Sequence, residues 1–89
     1  MTYKEKFEKE TDWQRKIILV DLFHCRKLLE FGSNWRMMDT ANYFQISLAT
    51  VSEDITIAEH LREGKWKFSS RNNALKAIKT LRDLKSNHG

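Results

Sequence analysis

The 89-residue chain carries sixteen Lys and Arg against twelve Asp and Glu, a formal charge of +4; that length suits one small domain over residues 1–89 and is too short for two cores. Hydrophobic residues at 40% and charged residues at 31%, with five Phe, three Trp and two Tyr, exclude a disordered tail or a low-complexity linker. Residues 1–32 hold seven basic and six acidic groups, residues 33–63 two and five, and residues 64–89 seven and one, so the positive field lies at the C-terminal end and favours a polyanionic partner.

Lys4–Glu10 alternates in charge and reads as a frayed or solvated helical turn. No apolar leader region stands at the N-terminus, and the longest apolar run, Ile17-Ile18-Leu19-Val20, is far below the ~20 residues of a bilayer span; no membrane association is expected. A helix is predicted over residues 11–31. Thr11 and Gln14 have capping-box spacing, Asp12 adds a carboxylate in the first turn, and Gly32 suits the stop. On a helical projection Trp13, Ile17, Val20, His24, Leu28 and Phe31 share one face, Ile18, Leu22, Cys25 and Leu29 a second, and Leu19 and Phe23 a third. A helix apolar nearly all round is either central to the fold or packed on two partners. A homodimer through residues 13–31 is the expectation, with a central helix wrapped by its own chain as the alternative.

Residues 33–63 read as two helices around a short turn. Met37, Met38, Ala41 and Phe44 have helical spacing, with Asn34 or Ser33 as caps. Ser47 caps the second helix, whose buried positions are expected to be Val51, Ile55, Ala58 and His60 or Leu61, ending at Glu63-Gly64. Lys65-Trp66-Lys67-Phe68 is either an extended connector or one strand of a wing. Trp66 between two lysines suits stacking on a sugar or base, or, with Phe68, closing the core. Ser69 or Ser70 then caps a last helix with an apolar face of Ala74, Leu75, Ala77, Ile78, Leu81 and Leu84. Lys76 and Lys79 point away from that face, and Arg71 and Arg82 sit at its edge. The fold class is therefore all-α: a small domain with a long N-terminal helix, a helical pair at 33–63 and a basic connector and helix at 64–86.

Residues 37–56, Met-Met-Asp-Thr-Ala-Asn-Tyr-Phe-Gln-Ile-Ser-Leu-Ala-Thr-Val-Ser-Glu-Asp-Ile-Thr, resemble the helix-turn-helix of bacterial and phage transcription regulators. Ala41 is small where the helices cross, Phe44 and Ile46 bracket the turn, Ser47 starts the second helix, Thr50 supports its first turn and Val51 anchors it. Two positions depart from the pattern: Gln45 stands where Gly is usual, and Glu53 where Arg is frequent. The resemblance implies that Leu48, Ala49, Ser52, Glu53 and Thr56 read base edges. Ala and Leu suit a thymine methyl, Ser and Thr several edges, and Glu a cytosine amino group. None of these is a cation, so phosphate contacts fall to Arg36, Ser47, Thr50, Lys65, Lys67 and Arg71.

Other residues carry less chemistry. His24 and Cys25 are adjacent on a helix and diverge, so they form no thiol–imidazole pair, and Cys25 reads as a small core residue. One cysteine excludes an internal disulfide. His60 and His88 lack ligand spacing, and the glycines are isolated, so neither metal, cofactor nor catalytic constellation is expected. The expected function is sequence-specific binding of double-stranded DNA by a small phage- or plasmid-type transcription regulator, cytoplasmic and associated with the nucleoid. The alternatives are a DNA-recognition subunit in packaging or recombination, and a protein–protein adaptor using the long apolar helix.

Overall fold

The structure is a computed structural model that describes residues 1–64 and 66–86; the expectations for Lys65 and His88 lie outside the described residues. Five α-helices follow one another: α1 (Tyr3–Lys9), α2 (Trp13–Phe31), α3 (Met37–Phe44), α4 (Leu48–Arg62) and α5 (Arg71–Ser86), with a 3₁₀ turn at Gly32–Asn34 between α2 and α3. The class is all-α, with no strand among the described residues. Trp66–Phe68 has no regular secondary structure, as a connector does. None of these helices is long and apolar enough to cross a membrane.

The caps differ in detail from expectation. α2 starts one residue late because Asp12, not Thr11, is the N-cap: its carboxylate accepts the Arg15 N–H at 3.1 Å, and a charged acceptor at a helix N-terminus also meets the positive end of the macrodipole. Neither Ser33 nor Asn34 caps α3. Both are drawn into the 3₁₀ turn that prolongs α2, Trp35 is extended, and Arg36 takes the N-cap position with its N–H donated to Asp39 Oδ2 at 2.8 Å. For α5, Ser70 Oγ accepts the Asn73 N–H.

α2 is the central element, packed on α1, α3 and α4, while α5 reaches the body through α4. The core falls into two clusters along α2. Ile17 joins Ile57, Ala58, Ala74 and Ile78, bordered by Trp13, Leu61, Phe68 and Leu75. Three residues further on, Val20 and Phe23 join Ala41, Phe44 and Val51, bordered by Tyr3, Phe7, Trp35 and Ile46. Each fully buried aliphatic or aromatic side chain contributes roughly 1.5–3 kcal/mol by leaving water. α1 is thus no solvated lead-in. Tyr3 and Phe7 lie against Phe23 and Phe44 at centroid distances of 5.6 and 5.1 Å.

Several apolar residues expected inside are exposed. Met37 and Met38 are 38% and 49% exposed because the eight-residue α3 turns Thr40, Ala41 and Phe44 inward. On α4 the buried set is Val51, Asp54, Ile57 and Ala58, leaving Ile55 and His60 half-buried. Leu84, Leu28 and Phe31 are also exposed. The second face of α2 stays open: Ile18, Leu22 and Leu29 are 40%, 47% and 89% exposed, and Cys25 is half-buried beside them. Trp13, Ile17, Val20, Phe23 and His24 serve the chain's own core, so the apolar surface that α2 leaves exposed is this narrower stripe together with Leu28 and Phe31.

Two buried polar groups on α2 find partners on other helices. Asp21, 3% exposed, accepts from Arg62 Nη1 of α4 at 2.8 Å. Burial raises its pKa, with the Arg62 charge opposing. His24 Nδ1 lies 2.6 Å from Thr40 Oγ1, which is also 2.8 Å from Trp35 Nε1. An indole N–H only donates, so Thr40 Oγ1 accepts from Trp35; toward His24 the same hydroxyl either donates to a bare Nδ1 or accepts from Nδ1–H, according to the imidazole tautomer. Burial lowers the His24 pKa, and the neighbouring Asp21 charge opposes the shift.

Because the folded chain binds the His24 proton less readily than the unfolded chain does, His24 contributes stability that is present above the unfolded value of 6.5 and lost as pH falls through the lowered folded value. Asp21, with a raised pKa, acts in the opposite sense at more acidic pH. Melting temperatures of the wild type and His24→Gln from about one pH unit above the ordinary histidine value to about 1.5 units below it should show a steeper acid loss in the wild type. Parallel curves would mean that His24 does not titrate against the fold.

Candidate nucleic-acid interface

α3 ends and α4 begins within three residues. Gln45 has φ 58° and ψ 44°, the left-handed conformation, which costs a non-glycine residue about 1–2 kcal/mol. Two hydrogen bonds offset this cost: Gln45 N–H to Asn42 O at 3.3 Å and Ile46 N–H to Ala41 O at 3.0 Å. Together they form the Schellman pair that satisfies the last carbonyls of a helix. Ile46 packs into the same cluster as Ala41 and Phe44. Ser47 then caps α4, its Oγ accepting the Thr50 N–H at 3.1 Å. Ala41 and Val51, 2% and 0% exposed, hold the two helices together.

This turn leaves the first half of α4 in solvent. Leu48, Ala49 and Ser52 are exposed on one face. Thr56 is half-buried, and its Oγ1 donates to Ser52 O at 2.9 Å. Glu53 is turned toward α5, where Arg71 Nη2 donates to its Oε1 at 3.0 Å. The structure thus brings together Leu48, Ala49 and Ser52 and sets Glu53 and Thr56 along their inner edge.

Arg71 does not stand as a free phosphate contact. As the first residue of α5 it donates to Asp54 Oδ1 from Nε at 3.1 Å and from Nη2 at 2.9 Å, in addition to Glu53. Asp54 is 3% exposed; burial raises its pKa, and the Arg71 hydrogen bonds and charge pull it back. A buried carboxylate is tolerated here because a planar guanidinium meets it with two donors. The other expected phosphate groups are differently placed. Arg36 and Lys67 are exposed, whereas the Ser47 and Thr50 hydroxyls lie 2.8 Å apart and bond each other.

Two cations that the sequence reading does not count among the phosphate contacts border the exposed face of α4. Lys79 and Arg82 of α5 line a cleft of about 300 Å³ between α4 and α5, opposite Ser52, Glu53 and Thr56. Arg82 lies at the edge of the apolar stripe as expected, whereas Lys79, expected to point away from it, lines the cleft beside Leu75 and Ile78, with Asp83 also at its wall. Trp66 is half-buried; its Nε1–H donates to Glu63 at 3.0 Å and its ring lies parallel to Phe68, which borders the core. Among the described residues no group of three or more His, Cys, Asp or Glu is placed to hold a metal ion. The chain matches no protein-family model, no curated protein and no solved structure.

Replacing Arg71 should test the clamp. Arg71→Ala leaves Asp54 buried without its partner and should lower stability by about 2–4 kcal/mol, reduced from the fully buried case because Arg71 is partly exposed. Arg71→Lys should recover less than half, lacking the two-pronged geometry. Urea unfolding midpoints measure both; an Arg71→Ala protein as stable as the wild type would show that α5 is held by its apolar face alone.

Proposed function

We propose that the chain binds double-stranded DNA in a sequence-specific manner, with α3 and α4 acting as a helix-turn-helix and the exposed face of α4 lying in the major groove. The observation that carries this reading is the turn itself. A left-handed Gln45, the Schellman pair, the Ser47 cap and the Ala41–Val51 contact reproduce the physical requirements of the resembled motif and leave Leu48, Ala49 and Ser52 free. Base edges are read by Leu48, Ala49, Ser52 and Thr56, and by the Glu53 oxygen that Arg71 does not hold. Phosphates are met by Arg36 at the start of α3, by Lys67, and by Lys79 and Arg82 across the cleft. The simplest role is a small transcription regulator; a recognition subunit in packaging or recombination would use the same surface.

Selection of bound sequences from a random duplex pool tests the reading directly. One enriched motif is the expected result, and no retention of duplex at low salt overturns it. Neutralising Arg36, Lys79 and Arg82 together should flatten log K against log[salt] by about 2–3 units, near 0.9 for each phosphate that no longer meets a cation. An unchanged slope would assign phosphate binding to other residues.

The open stripe of α2 favours a homodimer as part of this reading. Ile18, Leu22, Cys25 and Leu29 recur at the alternating spacing of a helix–helix seam, and a two-fold axis makes one such stripe complementary to itself. Such a dimer presents two copies of α4 to half-sites about one DNA turn, or a multiple of it, apart. Sedimentation equilibrium should show a wild-type dimer and a monomeric, still folded Leu22→Glu/Leu29→Glu variant. A wild type that stays monomeric at high concentration and selects a single asymmetric site overturns the dimer and leaves DNA binding standing.

A further inference from the structure

A second concave surface is framed by α1, α2, Trp35 and the end of α3, and shares no residue with the exposed face of α4. Its volume is about 410 Å³, and it is walled by Tyr3, Phe23, Trp35 and Tyr43 with Arg26, Lys27 and Glu30 at its edge, a size common to small-molecule sites. Its rings are fixed in place: Tyr43 stacks on Phe23 at 4.1 Å and 13°, and Trp35 meets Phe23 edge-on at 5.9 Å. Trp35 is further held by its indole bond to Thr40.

The cations of this groove are short of anionic partners. Arg26 Nη1 donates to the Tyr3 hydroxyl at 3.0 Å, and no ion pair engages Arg26 among the described residues. The Lys27 ammonium stands 5.4–5.6 Å from the Phe23, Phe31 and Trp35 rings. Its one carboxylate contact, Glu30 at 3.5 Å, joins a side chain that is 59% exposed, a pairing of little strength in water. Ring faces attract a cation without neutralising it. The groove therefore offers flat apolar walls, Arg26 without an ion pair among the described residues, and Lys27 paired only with the exposed Glu30.

We infer that this groove binds a planar aromatic anion, its ring lying along Trp35 and Tyr43 and its negative group accepting hydrogen bonds from Arg26 and Lys27. An aromatic carboxylate and a nucleoside monophosphate share this chemistry. Glu30 swings to solvent as the anion takes its place on Lys27. Binding needs both halves of the ligand, because the walls supply no charge and the cations lie on an exposed rim.

Nuclear magnetic resonance of the full chain tests this through the Trp35 indole N–H, titrated with benzoate and with adenosine monophosphate, and with inorganic phosphate and benzyl alcohol as half-ligands. The expected result is a saturable Trp35 shift with at least one aromatic anion, and at least about tenfold weaker binding of either half-ligand. Benzoate alone assigns the carboxylate source, and adenosine monophosphate alone the nucleotide. Arg26→Gln and Lys27→Gln, both on the rim, should each weaken binding about tenfold, whereas Arg15→Gln, remote from the groove, should not. The inference is overturned if neither aromatic anion saturates, if inorganic phosphate matches them, or if both rim variants bind as the wild type does.

Discussion

The packing of α2 against α4 is the contact on which the other elements depend. Both helices run through both core clusters: Ile17 and Val20 from one, Ile57 and Val51 from the other. Apolar burial supplies the attraction but is indifferent to small slips of one helix along another. The buried Asp21 reaching Arg62 is not indifferent, because a displaced register would leave a carboxylate in the core without its partner. The same device recurs between α2 and α3 through His24 and Thr40, and between α4 and α5 through Asp54 and Arg71. In each case an apolar contact is fixed in position by one polar pair whose misplacement is costly.

These polar pairs also mark where the sequence stops being legible. The helix class, the span of α2, the Ser47 cap, the stop at Gly32 and the left-handed Gln45 follow from local signals: periodicity, capping residues and turn position. Apolar spacing also finds Val51 and Ala58 on the inward face of α4, with Ile55 and Leu61 packed at its border, but not Asp54, whose burial needs an Arg seventeen positions away. The same long-range bond removes Arg71 from the set of free cations, in which a count of charges leaves it. α1 reads as solvated for a related reason. Its lysines and glutamates dominate the pattern, while Tyr3 and Phe7 gain their burial only from aromatic neighbours on α2 and α3.

The candidate interface shows what this does to a surface charge. Glu53 on an otherwise uncharged face would oppose a phosphate backbone, yet its charge is shared with a guanidinium from the next helix. The acidic balance of residues 33–63 is therefore partly cancelled within the fold, and α5 turns Lys76, Lys79 and Arg82 outward beside it. Position and charge are supplied by different helices, and the Arg71 clamp ties the two.

The hydroxyl of Thr40 bonds both an indole N–H that can only donate and the Nδ1 of a buried imidazole, which restricts how these three positions can diverge. Losing the hydroxyl alone takes the partner from two ring nitrogens at once, whereas losing either neighbour leaves the hydroxyl one bond. An all-apolar version of the trio could be about as stable as the present one, since removing both partners of a buried hydrogen bond costs far less than removing one. The two versions are separated by intermediates worse than either, so the effect of a change at any one of these positions depends on what the other two already are. Residues 24, 35 and 40 are in this sense a single heritable unit spread over three codons, and the groove behind Trp35 inherits its rigidity.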